Sequence, residues 1–563
     1  MVPACESVPF NWTPRSIRLV SMSARSHLGL IPTAAAFAFA SLVIVLTFAK
    51  FANEPVMVGD LSTYVLPADA FLRQGDAVYV DFFDIKPPVT YLMFIPWLSL
   101  FGKSLLGLWI YYVVWLASVF TLTWLVLRHF LSAWFALVPF FSLGATLVAF
   151  GMLEEILFIT EIVGLTFVIL ALWLVLRWPN RWVTYALGGF LTVLAGQTKE
   201  VFLLTPLFAL AGVFCLKAQW RRNLTAFISG GAGAVVVVVA SLTLWNSATI
   251  SEYLRILGFK GDRFPAPSFG AAGQLLIDVG AAVQSWLPLI GLFVAAVIAL
   301  WLWHRYGSPG QPLPSAEPGR DERDSWIVGS FAVAILAAFI WQGAPPLVHY
   351  AVALVFPITL VIALLMGRSL RLAQSIPNQL LRVTVVTVLL VSILPAVSSG
   401  LWVAGRTTGL DVTALARSIQ DLESPEATRT YDRIADLVAD DECLQVAYGW
   451  AASAAYLYSE RDPCSRFVVP PLALDDVRIQ ELQQDLVRNP AALLVVDSRV
   501  SGETTYADGL GDPDTFVFPF ESVANNCYEQ IPDEPTLFAA PEGFGVDLAA
   551  CIEAELRAMQ DLR

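Results

Sequence analysis

Charge is what this chain has least of. Only 14% of its 563 residues are Asp, Glu, Lys or Arg, against about 25% in soluble domains. A soluble body of this length is excluded. Lysine is rarer still, at six positions, and histidine occurs four times. No HExxH, CxxC or GxSxG stretch occurs, so zinc-peptidase, paired-thiolate and nucleophile-elbow chemistry lack their residues. Gly102-Lys103-Ser104 ends like a P-loop, but Trp97 stands where the required first glycine would be. Broad basic patches are missing too, and residues 403–563 hold no lysine at all. Nucleic acid is excluded as a partner, because holding it requires neutralising phosphates. No cofactor motif is present, and the sequence leaves a divalent metal open.

What fills the chain instead is apolar: 57% of residues are hydrophobic and the mean hydropathy is +0.65. Many runs reach the roughly 20 residues that a helix needs to cross about 30 Å of hydrocarbon. The expected class is a polytopic α-helical membrane protein. The first crossing is Ile31 to Phe51, and the others fall at 105–127, 133–151, 156–176, 182–198, 201–216, 224–246, 279–303, 326–342, 347–366 and 383–402, about 11 in all. Pro88 to Leu100 is apolar but too short to cross, so it is expected to lie along the membrane face. Alternating the crossings puts 15 basic and 5 acidic residues on the N-terminal side, and 8 basic and 13 acidic on the other side of the membrane body. That bias makes the N-terminal side cytoplasmic. A cleavable signal peptide is the rival for the first run; its length, its Lys50-Phe51-Ala52-Asn53 end and the lack of an A-x-A site argue against it. Met22 is an alternative start.

Charge also divides the chain. Residues 403–563 carry 11 Arg and 29 Asp or Glu, while the remaining 402 residues carry 23 basic and 18 acidic side chains. The expected domains are a cytoplasmic tail over 1–30, a transmembrane body over 31–402 with a first outer loop at 52–104, and a small soluble, acidic α/β domain over 403–563. Gly307 to Arg323, rich in Pro, Gly and charge, reads as a flexible cytoplasmic linker. Gly230-Gly231-Ala232-Gly233 reads as close helix packing.

The first outer loop concentrates what the rest of the body avoids. Between Gly59 and Leu92 it holds Asp60, Asp69, Asp76, Asp81, Asp84, Arg73 and Lys86. Ionisable groups at a membrane surface are costly and mark function by default. The alternation of crossings brings to the same outer side Glu154-Glu155, Lys199-Glu200 and His349-Tyr350. A carboxylate can take a proton from an acceptor hydroxyl, while lysine and histidine can neutralise a phosphate leaving group. Each residue also has a plainer reading. Asp60 can be a helix N-cap, and Lys86 can snorkel to headgroups. Glu154 and Glu155 can be first-turn charges, Lys199 can pair with Glu200, and His349 can be a satisfied interior histidine. Asp81 and Asp84 divide evenly between turn residues and site acids. Asp69 and Asp76 read as solvated loop charges. Glu161, about two turns inside a crossing, must face the protein interior or a wet cavity.

The pattern Asp60-x-x-x-Tyr64, then GDAVYVDFFDIKPPVTY (75–91) and Phe101-Gly102-Lys103-Ser104, resembles the GT-C superfamily of membrane glycosyltransferases. Within it, the lipid A aminoarabinose transferases and the protein O-mannosyltransferases are the most similar. Leu153-Glu154, Gln197-Thr198-Lys199 and HYAVALVFP (349–357) continue the likeness in order, over roughly residues 30–370. The resemblance implies a GT-C-like fold. It also implies inverting transfer of a sugar from a polyprenyl-phosphate donor at the outer membrane face. It makes Asp60 the first-loop acid acting as base or site anchor, Glu154 the second acid, and Lys86 and Lys199 the contacts to donor phosphate. Asp84, Asp81, Tyr64 and His349 would line the site.

In the C-terminal domain, Leu444 to Tyr448, Arg466 to Val469 and Ala492 to Val496 read as strands. Asp432 to Ala439 and Leu474 to Val487 read as helices. No catalytic motif occurs there, and the expected role is to roof the site and help select the acceptor, or a purely structural one. Four of the six cysteines, Cys443, Cys464, Cys527 and Cys551, lie in this domain. An even set in an outer compartment suggests two disulfides. Three pairings are open, and short separations favour Cys443–Cys464 and Cys527–Cys551. Each would close a loop of roughly twenty residues, a contribution of about 3 kcal/mol. Four unpaired core thiols are the alternative.

The sequence thus predicts a plasma-membrane glycosyltransferase that takes a polyprenyl-phosphate sugar and an acceptor it does not name. A transporter or flippase of lipid-linked sugars is the alternative from another class, but the inverted repeats typical of such proteins are not seen. A non-catalytic membrane assembly protein would leave Asp60 and Lys86 unexplained.

Overall fold

The structure is a computed structural model. It describes residues 23–52, 60–84, 86–154, 159–215, 219–263, 289–290, 292–298, 301, 320–341, 352–375, 379, 383–384, 387, 425–446, 452–467, 476–496, 520–532, 537–541 and 545–560. The chain divides into two compact units. One comprises Met1–Lys50, Tyr112–Val237 and Ala266–Asp411; the other comprises Phe51–Tyr111, Val238–Pro265 and Val412–Arg563. The first outer loop therefore packs with the acidic C-terminal chain, although half the sequence lies between them.

The first unit is built of apolar helices, as the backbone must be when no water can satisfy its polar groups. They include Ser23–Ala52, Ala133–Glu154, Ile159–Arg177, Trp182–Gly196, Pro206–Cys215, Arg320–Trp341 and Val352–Ser375. Two more, Leu105–Phe130 and Trp220–Trp245, run from one unit into the other. Among the described residues, four helical stretches are long and apolar enough to cross a membrane: Leu106–Phe130, Thr160–Arg177, Trp220–Trp245 and Ala353–Arg371. The crossings expected at 279–303 and 383–402 lie largely outside the described residues. Hydroxyls in these helices are absorbed by the preceding turn, as with Ser142 on Val138 O, Thr166 on Ile162 O and Thr192 on Gly188 O.

Two glycines account for the closest helix crossing. A Cβ on Gly230 would lie 1.8 Å from Ala186 O, and one on Gly189 would lie 2.1 Å from Phe227 O. Helices Trp182–Gly196 and Trp220–Trp245 therefore meet backbone to backbone, the small-residue contact that replaces hydrophobic driving force in lipid. Elsewhere, His129 Nε2 stands 2.9 Å from Asp324 Oδ2, and Arg323 Nη2 donates to Asp324 Oδ1 at 2.9 Å. Arg371 pairs with Asp321 at 3.0 Å. Arg320 to Arg323, expected as the end of a flexible linker, are instead the first turn of helix Arg320–Trp341. Residues 307–319 lie outside the described residues.

The second unit carries a five-stranded sheet of order β2-β1-β3-β5-β4. The strands are β1 (Cys443–Val446), β2 (Asp462–Pro463), β3 (Leu493–Val495), β4 (Glu529–Gln530) and β5 (Leu537–Ala539). β1 is parallel to β2 and β3, with Leu444 opposite Leu493 and Val446 opposite Val495. β5 runs antiparallel to β3 and β4. A strand covered on both faces needs no alternation, and all four residues of β1 are buried. Helices Pro425–Leu437, Ala452–Ser459, Asp476–Arg488, Phe520–Cys527 and Gly545–Gln560 accompany the sheet. Cys443 is bonded to Cys464, and Cys527 to Cys551. Of the strand expected over Arg466 to Val469, Arg466 lies in a bend and Phe467 in no strand, Val468 and Val469 lie outside the described residues, and the strand found nearby is Asp462–Pro463. The contacts of Arg466 are described below.

Candidate active site

In the second unit, helix Asp60–Gln74 leads into the first-loop turn. Gly75, at φ +84°, closes the helix by donating its N–H to Phe71 O at 3.0 Å, the left-handed cap that glycine adopts without strain. Asp81 is exposed and accepts Ala77 N–H at 2.7 Å, so it is a turn residue. Tyr79 also has a positive φ, +70°, a strained conformation for a bulky residue and one that concentrates at functional sites. It is fully buried, stacked on Tyr253 at 5.1 Å and edge-on to Tyr91 at 6.0 Å. Its hydroxyl donates to Lys86 O at 2.5 Å.

These contacts present one cation. Lys86 Nζ lies 3.8 Å from Asp84 Oδ2 and 4.5 Å above the Tyr64 ring, a carboxylate and a π-face that both attract a cation. Lys86 N–H donates to Asp84 Oδ1 at 3.2 Å, so the same carboxylate shapes the backbone and faces the side chain. Asp84 and Tyr64 are buried, and 13% of the Lys86 side chain remains open. Tyr91 closes the group at 5.9 Å from Tyr64. Burial first, and then the neighbouring Asp84 charge, push the Tyr91 hydroxyl well above its ordinary pKa, so it stays protonated.

Asp69 corrects the expectation of a solvated charge. It is buried, takes Arg73 Nε at 2.8 Å and faces Lys103 Nζ at 3.6 Å. Lys103 in turn meets Glu460 Oε1 at 2.5 Å and Leu457 O at 2.8 Å. That hydrogen bond, more than the opposing desolvation, holds the Glu460 carboxyl below its ordinary pKa. Asp76 moves upward instead, from burial and then from the nearby Asp81 and Asp462 charges.

The first unit holds a second pair. Lys199 Nζ stands 3.3 Å from Glu161 Oε1, and Thr160 Oγ1 donates to Glu161 Oε2 at 2.8 Å. Both members are buried. The sequence offered Glu200 as the lysine's partner; a partner found is Glu161, separated from it in sequence by most of helix Ile159–Arg177, a connection and the whole of helix Trp182–Gly196. His349 and the side chains of Asp60 and Glu154 lie outside the described residues. Among the described residues, no three His, Cys, Asp or Glu side chains gather as a metal site. Sequence reasoning passed over Tyr79, Tyr91, Tyr253 and Arg466, and only the tyrosine content of the first loop could have hinted at the first two.

The crystal structure of ArnT from Cupriavidus metallidurans in the apo state aligns with 93% of this chain and 99% of that chain, at a TM-score of 0.51 and 15% identity. Archaeal oligosaccharyltransferase AglB from Archaeoglobus fulgidus, in complex with an inhibitory peptide and a dolichol-phosphate, aligns with 82% of this chain and 69% of its own at a TM-score of 0.41 and 10% identity. Residues 85–316 match the sequence profile of a glycosyltransferase family. The chain thus shares the fold of the ArnT structure, and its profile likeness to a glycosyltransferase family is confined to that segment. The family matched is glycosyltransferase family 87, and the matched segment includes Lys86, Glu154, Glu161 and Lys199. No curated protein sequence matches the chain.

Proposed function

We propose that the protein transfers a sugar from a polyprenyl-phosphate-linked donor to an acceptor at the outer face of the plasma membrane, with inversion. The observation that carries this reading is Lys86: a side chain held by Asp84 and Tyr64, partly open, in the turn that follows helix Asp60–Gln74. A compact cation of this kind suits a phosphate leaving group. In the step, the acceptor hydroxyl attacks the anomeric carbon as that carbon's bond to the phosphate oxygen breaks. The hydroxyl proton passes to a carboxylate and the bonding pair leaves on the lipid phosphate. Asp60 is the base in this reading and Glu154 the second acid. Lys199, ion-paired with Glu161, is a further phosphate contact, and His349 lines the site. The reading includes eleven crossings, a cytoplasmic N-terminus and an outer C-terminal domain.

The test is purified protein supplied with a panel of radiolabelled polyprenyl-phosphate sugars and nucleotide sugars, with the anomeric configuration of the product determined. Transfer from a polyprenyl-phosphate sugar that is lost in Lys86→Met is the expected result. Transfer from nucleotide sugars alone sinks the donor assignment, and undiminished transfer by Lys86→Met removes the lysine from it.

A further inference from the structure

One C-terminal residue, Arg466, touches the first loop at Phe83 and Tyr79, just ahead of Asp84. Arg466 O accepts the Phe83 N–H at 2.8 Å. The Arg466 guanidinium lies 5.7 Å over the Phe83 ring and 5.3 Å over Phe467. Its Nη1 stands 3.5 Å from Tyr79 O and 3.5 Å from Glu252 Oε2, and its Nη2 stands 2.8 Å from Glu481 Oε1. Only 15% of the side chain is exposed. Arginine suits this place because a flat guanidinium can lie on a ring while its edge meets two carboxylates, which an ammonium cannot do.

The bend that carries Arg466 is itself held. Cys464 is bonded to Cys443 on β1, Ser465 Oγ donates to Asp485 Oδ2 at 2.8 Å, and the buried Phe467 ring packs 5.1 Å from Phe83. On the loop side, Phe83 immediately precedes Asp84, and Tyr79 grips Lys86 O through its hydroxyl. Arg466 therefore reaches both residues that set where Asp84 and Lys86 stand.

We infer that Arg466 is a positioning residue for the Asp84–Lys86 pair, through which the C-terminal chain sets the affinity for donor phosphate. This rests on the reading of Lys86 as a phosphate contact. It differs from a roof over the site, because the effect passes through the loop and needs no contact between Arg466 and substrate.

The test uses full-length Arg466→Met, Arg466→Lys and Lys86→Met proteins, with farnesyl phosphate as the binding probe and thermal unfolding measured alongside. The backbone bond to Phe83 survives each substitution, so the side chain alone is under test. Arg466→Met is expected to weaken probe binding by about 10- to 100-fold, the scale of a small misplacement of a binding group. Arg466→Lys should fall between it and the wild type. On the Lys86→Met background, Arg466→Met should add nothing, as expected for groups that act as one. Wild-type binding by Arg466→Met, or losses that simply add in the double variant, overturns the inference. Normal binding by Lys86→Met overturns both the phosphate reading and this one. A Lys86→Met deficit beside a normal Arg466→Met overturns only the positioning role. If Arg466→Met does not fold, Arg466→Lys decides: weakened binding supports the inference and wild-type binding overturns it.

Discussion

Lys199→Met takes away the ammonium that stands 3.3 Å from the Glu161 carboxylate. Glu161 is 3% exposed and Lys199 8%, so the carboxylate left behind is far from bulk water. Breaking a buried ion pair from one side costs about 3–5 kcal/mol, because the remaining charge must be held in a poor solvent or be neutralised by a proton. Removing both charges together is far milder. Lys199→Met with Glu161→Gln should recover most of the lost stability, since Thr160 can still donate to the amide oxygen. Turnover then separates structure from chemistry. If Lys199 meets donor phosphate, the double variant stays folded and loses about 100- to 1,000-fold in rate, the scale for one lost charge-stabilising donor. Unfolding followed by tryptophan fluorescence in detergent, together with single-turnover transfer of a radiolabelled sugar, supplies both numbers. Wild-type stability of Lys199→Met refutes the energetic argument, and wild-type turnover of the double variant makes the pair purely structural.

Asp60→Asn should cut turnover by roughly two to four orders of magnitude, the range for a general base, with little change in donor binding. Near-normal turnover by a folded Asp60→Asn protein removes this residue from the mechanism. Reducing or replacing the Cys443–Cys464 bond should destabilise the C-terminal domain by about 3 kcal/mol in the chain-entropy account, measured by denaturant unfolding with and without reductant. An unchanged midpoint after verified reduction contradicts that contribution.

The helices were the legible part of this fold, because lipid demands long apolar runs and the chain supplies them. Their ends were less so. The hydropathy of the 105–127 run stops at Arg128, but the helix Leu105–Phe130 goes on through Arg128 and His129, since a charged residue ends the apolar signal and not the helix. In the C-terminal domain, β3 falls inside the apolar run expected to form it, and β1 starts one residue ahead of its own, at Cys443. Arg466, expected to open a strand, is held instead by the loop, by Glu481 and by Glu252. Scarcity made Lys86 and Lys199 visible as candidates. What surrounds them was hidden, for Tyr79 acts through a positive φ and Arg466 through contacts with distant chain. Asp69 was misread for the same reason: Arg73 is one turn away, but Lys103 reaches it only through the folded loop. Nothing local records either fact.

The partners of the first loop have a consequence for biogenesis. Lys103 and Glu460 are 357 residues apart in sequence, and Tyr79 and Arg466 are 387 apart. At ordinary synthesis rates that interval is roughly 20 to 80 s. A nascent chain thus inserts its helices while the segment bearing Lys86 still lacks the side chains that hold it. Premature termination anywhere before Arg466 yields an inserted protein with an unfinished loop. Synthesis as far as Arg466 is in this way a late requirement for holding the first loop.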